Sequence, residues 1–329
     1  MTRTVFWKGA LLAAASLMAA SAAQAQESLE KLSVVVFGPP SLGAFLPPVI
    51  KAQEFDHAHG LDIEFAERTP DAYAAQFNSG EFQVGGSAAL LTVGLAEARG
   101  VEATYLFNLF DFWGAVVTSR DDVQSLADLQ GKNLAAATGT TNYKMFNWLA
   151  NQQGVDLSGV EVINTAPPGL VGYAMADRAA AVQLWEPAYT SLASQNPDIR
   201  TLDLNIKGAW QEFAGTENIP YLGVAAHRSW IEQNGALVEK LYDAYSDAAK
   251  WVAENPDEAA AVIAGANATD DVRKNYADLI RNNDRLGMNV QWAADVREEI
   301  GKVYEAGMAV DFLPEMPTDA TIYEGGPAQ

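Results

Sequence analysis

Short apolar runs alternate with amphipathic segments along most of the chain, and this alternation predicts the fold. Leu32–Phe37 is a continuous, valine-rich run, typical of a strand buried in a parallel sheet. The same pattern predicts further strands at 61–65, 82–84 and 101–107. It predicts helices at about 48–58 and 71–77, and a third that opens at 85–87 and ends near 99. The alternation of strands and helices indicates an α/β fold with mostly parallel sheets.

Two extended segments divide the chain into two expected lobes. Residues 113–118 (WGAVVT) and 219–226 (IPYLGVAA) flank a block that has its own series of strands and helices. We interpret these segments as paired crossovers between the lobes. One lobe is expected to comprise residues 26–117 and 221–329, and the other residues 118–220.

Small polar residues follow three of the predicted strands, where the chain enters a helix. These loops are residues 38–43, 85–87 and 139–142. In a mostly parallel sheet the carboxyl ends of the strands lie at one edge, which is where ligands bind. Helix N-termini at that edge direct free backbone N–H groups at one point, which suits an anion or a polar ligand group. The pattern favours capture of a small solute.

The first 25 residues have the pattern of a secretory signal peptide. Arg3 and Lys8 precede an apolar run from Gly9 to Ala20, and Ala23-Gln24-Ala25 matches a small-x-small cleavage site. The alternative is an N-terminal membrane anchor, but the run is shorter than the roughly 20 residues that a membrane-spanning helix needs. The mature chain is therefore expected outside the cytoplasm.

Composition excludes several classes of function. The chain has no cysteine, which rules out disulfides, thiolate zinc sites and a cysteine nucleophile. It has 21 basic and 42 acidic residues, and losing Arg3 and Lys8 with the signal leaves 19 basic residues and a net charge of −23. Such a charge repels nucleic acid and anionic lipid, so neither is an expected partner.

Five segments carry a resemblance to a known family. They are FNSGEFQVGGSAA (Phe77–Ala89), LADLQGKNLAA (Leu126–Ala136), GTTNY (Gly139–Tyr143), NTAPPGL (Asn164–Leu170) and LWEPAY (Leu184–Tyr189). With them the chain resembles the periplasmic solute-binding proteins of bacterial ABC importers, in the taurine, alkanesulfonate and nitrate group that includes NMT1/THI5-like proteins. The resemblance implies a two-lobed periplasmic-binding-protein type II fold, with each lobe a mostly parallel sheet flanked by helices. It also implies a monomer that docks on an ABC permease in the inner membrane.

The resemblance further implies which residues contact the solute. In the three loops they are Pro40, Ser41, Leu42, Gly86, Ser87, Thr140, Thr141 and Asn142. Trp113 and Trp185 are the aromatic candidates, because they flank the crossover and the LWEPAY turn. Glu186 is either a solvated acid at a helix start or the partner of a cationic ligand group. Together with the threonine loop it would hold both ends of an amine-bearing sulfonate such as taurine.

Structural roles remain open for these residues. The threonine pair and Ser87 could simply cap helices, and the aromatic residues could belong to the core. His57 and His59 point to different faces of a predicted helix end, so no metal site is expected. The chain has no nucleophile elbow and no glycine-rich phosphate loop, so neither an enzyme nor a cofactor is expected.

The expected function is therefore that of the substrate-binding component of an ABC transporter. It would capture a small organic solute between the lobes, with a sulfonate or taurine-like solute favoured. The alternatives are a binder of a thiamine-precursor pyrimidine, of nitrate or of an aromatic acid. A solute-sensing protein for a membrane receptor and a THI5-like biosynthetic enzyme share the same fold and stay open as well.

Overall fold

A computed structural model describes residues 29–326 of the 329-residue chain. The predicted signal peptide at 1–25 lies outside the described residues. The strands are β1 Glu30–Phe37, β2 Leu61–Arg68, β3 Val84–Ala89, β4 Ala103–Asp111, β5 Ala115–Thr118, β6 Asn133–Ala136, β7 Glu161–Asn164, β8 Ala181–Leu184, β9 Arg200–Leu202, β10 Pro220–His227 and β11 Met288–Trp292. The helices are α1 Pro47–Ala52, α2 Phe55–Ala58, α3 Pro70–Asn78, α4 Leu90–Ala98, α5 Thr141–Gln152, α6 Pro167–Met175, α7 Ala188–Gln195, α8 Ile206–Ala214, α9 Arg228–Glu254, α10 Pro256–Ala264, α11 Asp270–Arg281, α12 Asn283–Leu286 and α13 Arg297–Ala309.

The first sheet has six strands in the order β11–β4–β10–β3–β1–β2. Strands β2 and β3 run parallel to β1, whereas β10 is antiparallel to both β3 and β4. Strand β11 is antiparallel to β4 at the edge of the sheet. Four of the six strands thus run in one direction, and the sheet combines strands from the beginning and the end of the chain.

The second sheet has five strands in the order β7–β6–β8–β5–β9. Strands β6, β7 and β8 are parallel, and β5 is antiparallel to both β8 and β9. Four of its five strands therefore share a direction. The predicted α/β architecture of two mostly parallel sheets with flanking helices is confirmed.

The chain crosses between the sheets at two adjacent places. The first crossing runs from the end of β4 at Asp111 to the start of β5 at Ala115, and the second ends where β10 begins at Pro220. The backbone N–H of Phe112 donates to the carbonyl of Ile219 at 2.7 Å, so the two crossings are paired. The expected boundary at 117/118 lies three residues too late, because β5 belongs to the second sheet. The segment is apolar on both sides of the crossing, so its pattern does not mark the change of sheet.

Two predicted helices differ from those in the structure. The helix expected at about 48–58 is two helices, α1 and α2, interrupted where Glu54 adopts a left-handed conformation with φ of 55°. The helix expected to open at 85–87 begins only at Leu90, and Gly85, Gly86 and Ser87 lie within β3. A Cβ atom at Gly85 would lie 2.3 Å from the hydroxyl of Tyr73. These glycines allow close packing inside the first sheet and do not form a turn.

An aromatic cluster packs α5 against α8 within the second half of the molecule, and both helices also contact α13 of the first half. The rings of Trp148 and Trp210 are fully buried, and their centroids lie 5.4 Å apart. Helix α5 also packs against α4 and α13, which flank the first sheet. The indole N–H of Trp210 donates to the carbonyl of Asn218 at 2.7 Å, directly before the second crossing. No helix within residues 29–326 is long and apolar enough to cross a membrane.

Replacing Trp210 with alanine tests whether this packing stabilises the whole chain. We expect Trp210→Ala to lower the free energy of unfolding by about 3–5 kcal/mol, because it empties a large buried site. The matched control is Met316→Ala, since Met316 is 45% exposed and its loss should change stability by no more than about 0.5 kcal/mol. Urea denaturation measures both values, and equal small losses would contradict a stabilising role for the Trp148–Trp210 packing.

Candidate functional site at the junction of the sheets

A buried carboxylate lies where β8 turns into α7. The side chain of Glu186 is only 1% exposed. One carboxylate oxygen accepts the backbone N–H of Thr190 at 3.1 Å, and the other accepts the hydroxyl of Thr190 at 3.0 Å. These bonds satisfy a free N–H group in the first turn of α7. Glu186 is therefore not a solvated acid, and one of the two predicted roles is wrong.

An ion pair connects this carboxylate to the other half of the chain. Nε of Arg285, in α12, lies 3.1 Å from Oε1 of Glu186, and its Nη2 donates to the hydroxyl of Thr190 at 2.7 Å. Burial raises the pKa of the Glu186 carboxyl above its ordinary value, and the charge of Arg285 opposes that rise. Because Glu186 follows a strand of the second sheet and Arg285 precedes β11 of the first, the pair bridges the two sheets.

Two aromatic rings surround the guanidinium of Arg285. Its central carbon lies 5.0 Å from the ring centroid of Tyr189 and 6.0 Å from that of Trp113. The two rings are 5.2 Å apart and tilted by 56°. A cation over an aromatic face is attracted by the ring quadrupole. We call Glu186, Trp113 and Tyr189 the cation cage, which Arg285 occupies.

Two cavities lie beside the contact between Arg285 and Thr190. The larger has a volume of about 840 Å³ and follows both crossings; its walls include Asp111, Trp113, Asn205, Glu217, Arg285 and Asn289. The smaller has a volume of about 560 Å³ and lies between the first loop, α7 and α11; its walls include Pro40, Pro187, Thr190, Ser191, Asn275 and Tyr276. Since Arg285 lines one cavity and Thr190 lines the other, the bond between them forms part of the dividing wall.

The residues of the predicted third loop hold the second sheet to the crossing. Thr140 caps α5, because its hydroxyl oxygen accepts the backbone N–H of Tyr143 at 3.2 Å. Asn142 is fully buried and donates to the carbonyl of Trp113 at 3.2 Å, while its own carbonyl oxygen accepts a bond from Gln183. Thr141 is 5% exposed, and its hydroxyl has no hydrogen-bond partner among residues 29–326. Neither cavity is lined by these three residues.

The other predicted contacts divide between the surface and the core. Pro40 is exposed and lines the smaller cavity, Ser41 is half-buried, and Leu42 is buried. Ser87 is fully buried, and its hydroxyl oxygen accepts the backbone N–H of Phe37 at 2.9 Å.

Two more of the predicted contact residues, Gly86 and Trp185, pack against the interior of the half of the molecule to which each belongs. Gly86 is covered by Tyr245, whose hydroxyl would lie 2.6 Å from a Cβ atom at that position. Gly86 therefore serves close packing between β3 and α9. Trp185 is half-buried against the core of the second sheet.

The two histidines of the HAH pair lie in separate charge networks. Nε2 of His59 lies 2.8 Å from Asp247, whereas His57 lies 3.9 Å from Asp62. Asp56, His57 and Asp62 bring ligand atoms within 4.8 Å of one another. However, the ammonium of Lys51 lies 2.5 Å from Asp56 and 3.5 Å from Asp62, so a lysine already supplies the cation there.

Sequence reasoning missed Arg285 and Thr190, the two partners of the Glu186 carboxylate. Thr190 lies one residue beyond the LWEPAY segment, and its hydroxyl between two charges could be found only from the structure. Arg285 lies 95 residues after Thr190, in a stretch with an ordinary helical pattern. No local signal distinguishes it from the other arginines of that region.

Asp111 fixes the start of the first crossing. Its carboxylate accepts the side-chain amides of Asn108 at 3.0 Å and Asn289 at 2.8 Å, which tie β4 to β11. Burial raises the pKa of Asp111 from 3.8 to about 6, against the effect of the two amides. Asp111 is therefore partly protonated at mildly acidic pH.

This raised pKa predicts a pH dependence of stability. A carboxyl that holds its proton more tightly when folded favours the folded state below pH 3.8 and loses that contribution as the pH rises past about 6. Between pH 4 and pH 7 we expect wild type to lose up to about 3 kcal/mol more than Asp111→Asn, since each pKa unit is worth about 1.4 kcal/mol. Urea denaturation across this range measures the difference, and parallel profiles would show that Asp111 does not titrate there.

Comparison with known proteins identifies the fold. The structure is similar to the periplasmic aliphatic sulphonate-binding protein SsuA of Escherichia coli, with a TM-score of 0.69, 16% identity and coverage of 88% of this chain and 96% of that one. It is similar to the alkanesulfonate-binding protein SsuA of Xanthomonas axonopodis pv. citri bound to MOPS, with a TM-score of 0.69, 15% identity and coverage of 88% and 96%. The Candida albicans CA3427 gene product, described as having the generic periplasmic binding protein fold, has a TM-score of 0.61, 19% identity and coverage of 89% and 93%.

Sequence comparison identifies the family. No curated protein matches the chain. The family model described as NMT1/THI5 like matches residues 49–259, which is well over half of the 329 residues. The structural similarities agree with it, because they share the two-lobed periplasmic-binding-protein fold predicted from the sequence. The chain belongs to the NMT1/THI5-like family.

Proposed function

We propose that this chain is the substrate-binding component of an ABC transporter. It would be exported by the signal peptide at 1–25, act as a monomer in the periplasm and deliver a small organic solute to a permease in the inner membrane. The observation that carries the proposal is the junction itself. Two cavities, each lined by residues from both halves of the chain, lie beside the contact of Arg285 with Thr190 near the paired crossings.

The chemistry of the smaller cavity supports an oxygen-rich solute. Hydroxyl and amide groups line it, namely Thr190, Ser191, Ser194, Gln195, Thr269, Asn275 and Tyr276. Asp271 and Lys274 are the charged residues among those lining it, and their charges cancel. Such a wall can donate several hydrogen bonds to a sulfonate without a strong local field. The sulfonate-binding names of the Escherichia coli and Xanthomonas proteins favour the same class, so a sulfonate or taurine-like solute is our first choice.

The crossings supply the hinge that capture requires. The first crossing is short, and its backbone bond to Ile219 keeps it beside the second. Hinge motion at such a place lets two lobes close on a ligand, which excludes water and strengthens each hydrogen bond. A solute stabilises the closed form only to the extent that it prefers that form.

A thermal-shift screen of the mature chain, residues 26–329, tests the proposal. The panel holds taurine, alkanesulfonates, nitrate, pyrimidines and aromatic acids, each compared with sodium chloride at equal ionic strength. A solute at a hundred times its dissociation constant should raise the free energy of unfolding by roughly 2.7 kcal/mol, which moves the melting temperature by several degrees. A chain that responds to no solute in the panel, or that converts one into a product, would contradict the proposal.

A further inference from the structure

The cation cage has the chemical groups that recognise an organic cation. A carboxylate as buried as that of Glu186 needs an opposite charge beside it, because desolvation makes an isolated buried charge costly. Two ring faces, of Trp113 and Tyr189, add cation–π attraction to the same point. In this structure the guanidinium of Arg285 supplies the opposite charge beside Glu186 and lies next to both rings.

The occupant of the cage can be replaced from the larger cavity. Arg285 lines that cavity, and its side chain is 29% exposed, in contrast to its buried partner. It is carried by α12, a helix of four residues that ends at Gly287 in the left-handed conformation, with φ of 67°. The backbone N–H of Asp111 donates to the carbonyl of Gly287 at 2.6 Å and holds the end of α12 to β4, so the exchange requires rotation of the Arg285 side chain and no movement of the helix.

The surroundings of the cage attract cations. The residues lining the larger cavity include four acids and two bases, namely Asp111, Asp203, Glu217, Asp284, Lys207 and Arg285. The whole chain carries a net charge of −21, so its field raises the local concentration of cations and lowers that of anions.

We propose that the solute carries a cationic group, an ammonium or a guanidinium, that takes the place of Arg285 in the cation cage. This inference rests on the proposed solute-binding function. Arg285 then acts as an internal competitor that keeps Glu186 paired while no solute is bound. When the solute enters, its cationic group pairs with Glu186 and contacts Trp113 and Tyr189, and its polar end reaches the hydroxyl groups of the smaller cavity. The released guanidinium stays beside the acidic wall of the larger cavity.

Matched pairs of probes test the replacement by isothermal titration at pH 7.5. Taurine and isethionate share a sulfonate and differ only in an ammonium or a hydroxyl group; choline and 3,3-dimethyl-1-butanol differ only in charge. Wild type should prefer the cationic member of a pair. Arg285→Ala should bind the member with the cationic group roughly tenfold or more tightly than wild type does. The reason is that the Arg285 guanidinium competes for the cage at an effective concentration in the millimolar range, and the substitution removes this competitor. The members without a cationic group, isethionate and 3,3-dimethyl-1-butanol, should not gain affinity, and Glu186→Gln should erase the preference.

Two variants keep the test independent of stability. Arg281→Ala is the matched control, since Arg281 pairs with Asp257 and Asp278 at the surface, and it should bind as wild type does. Arg285→Gln keeps most of the side-chain volume and should gain affinity as Arg285→Ala does. As a direct probe of the empty cage, methylguanidinium should raise the melting temperature of Arg285→Ala more than that of Arg281→Ala.

The contrary outcomes separate the inference from the proposed function. If both arginine-285 variants lose affinity for taurine and isethionate alike, Arg285 binds the sulfonate and the inference is wrong. A solute that lacks a cationic group and binds wild type as tightly as its ammonium counterpart also overturns it, while the transport proposal stands. If no solute binds wild type, the proposed function fails. If methylguanidinium raises the melting temperatures of Arg285→Ala and Arg281→Ala equally, the cation cage is not a cation-binding site.

Discussion

A carboxylate that has lost nearly all of its water must have other partners, and Glu186 imposes this condition on the junction. Thr190 donates two hydrogen bonds from the first turn of α7, and Arg285 supplies the opposite charge from the other half of the chain. Because one partner follows β8 and the other precedes β11, the condition is met only while the two sheets lie close together at this point. The rings of Trp113 and Tyr189 lie beside the guanidinium of Arg285, and Arg285 and Thr190 line one cavity each.

The crossings beside this ion pair are held from both sides. Asn142 links α5 and β8 to the carbonyl of Trp113, and Asp111 links β4 to Asn289 in β11. The crossing backbone is therefore fixed, while the charged contact next to it depends on a four-residue helix. A solute that replaced Arg285 would change the charged contact between the sheets and leave the crossings intact. This combination suits a protein that must close on a solute and later release it.

The periodicity of the chain predicted the two sheets, because alternating apolar runs can be buried only between flanking helices. It did not separate a glycine-rich turn from a glycine-rich strand: Gly85 and Gly86 serve close contact with Tyr73 and Tyr245, which only the folded chain brings to them. Of the candidate site residues, Glu186 and Trp113 belong to the cation cage and Pro40 to the smaller cavity. Arg285 was beyond prediction, because its role comes from a partner far away in the sequence.

A crystal structure of the mature chain with a bound cationic solute such as taurine tests the central claim most directly. The account predicts that the ammonium group lies between the rings of Trp113 and Tyr189, within hydrogen-bond distance of the Glu186 carboxylate, with Arg285 withdrawn into the larger cavity. A complex in which Arg285 still pairs with Glu186, and the solute lies elsewhere or is held by Arg285 through its sulfonate, would contradict the account.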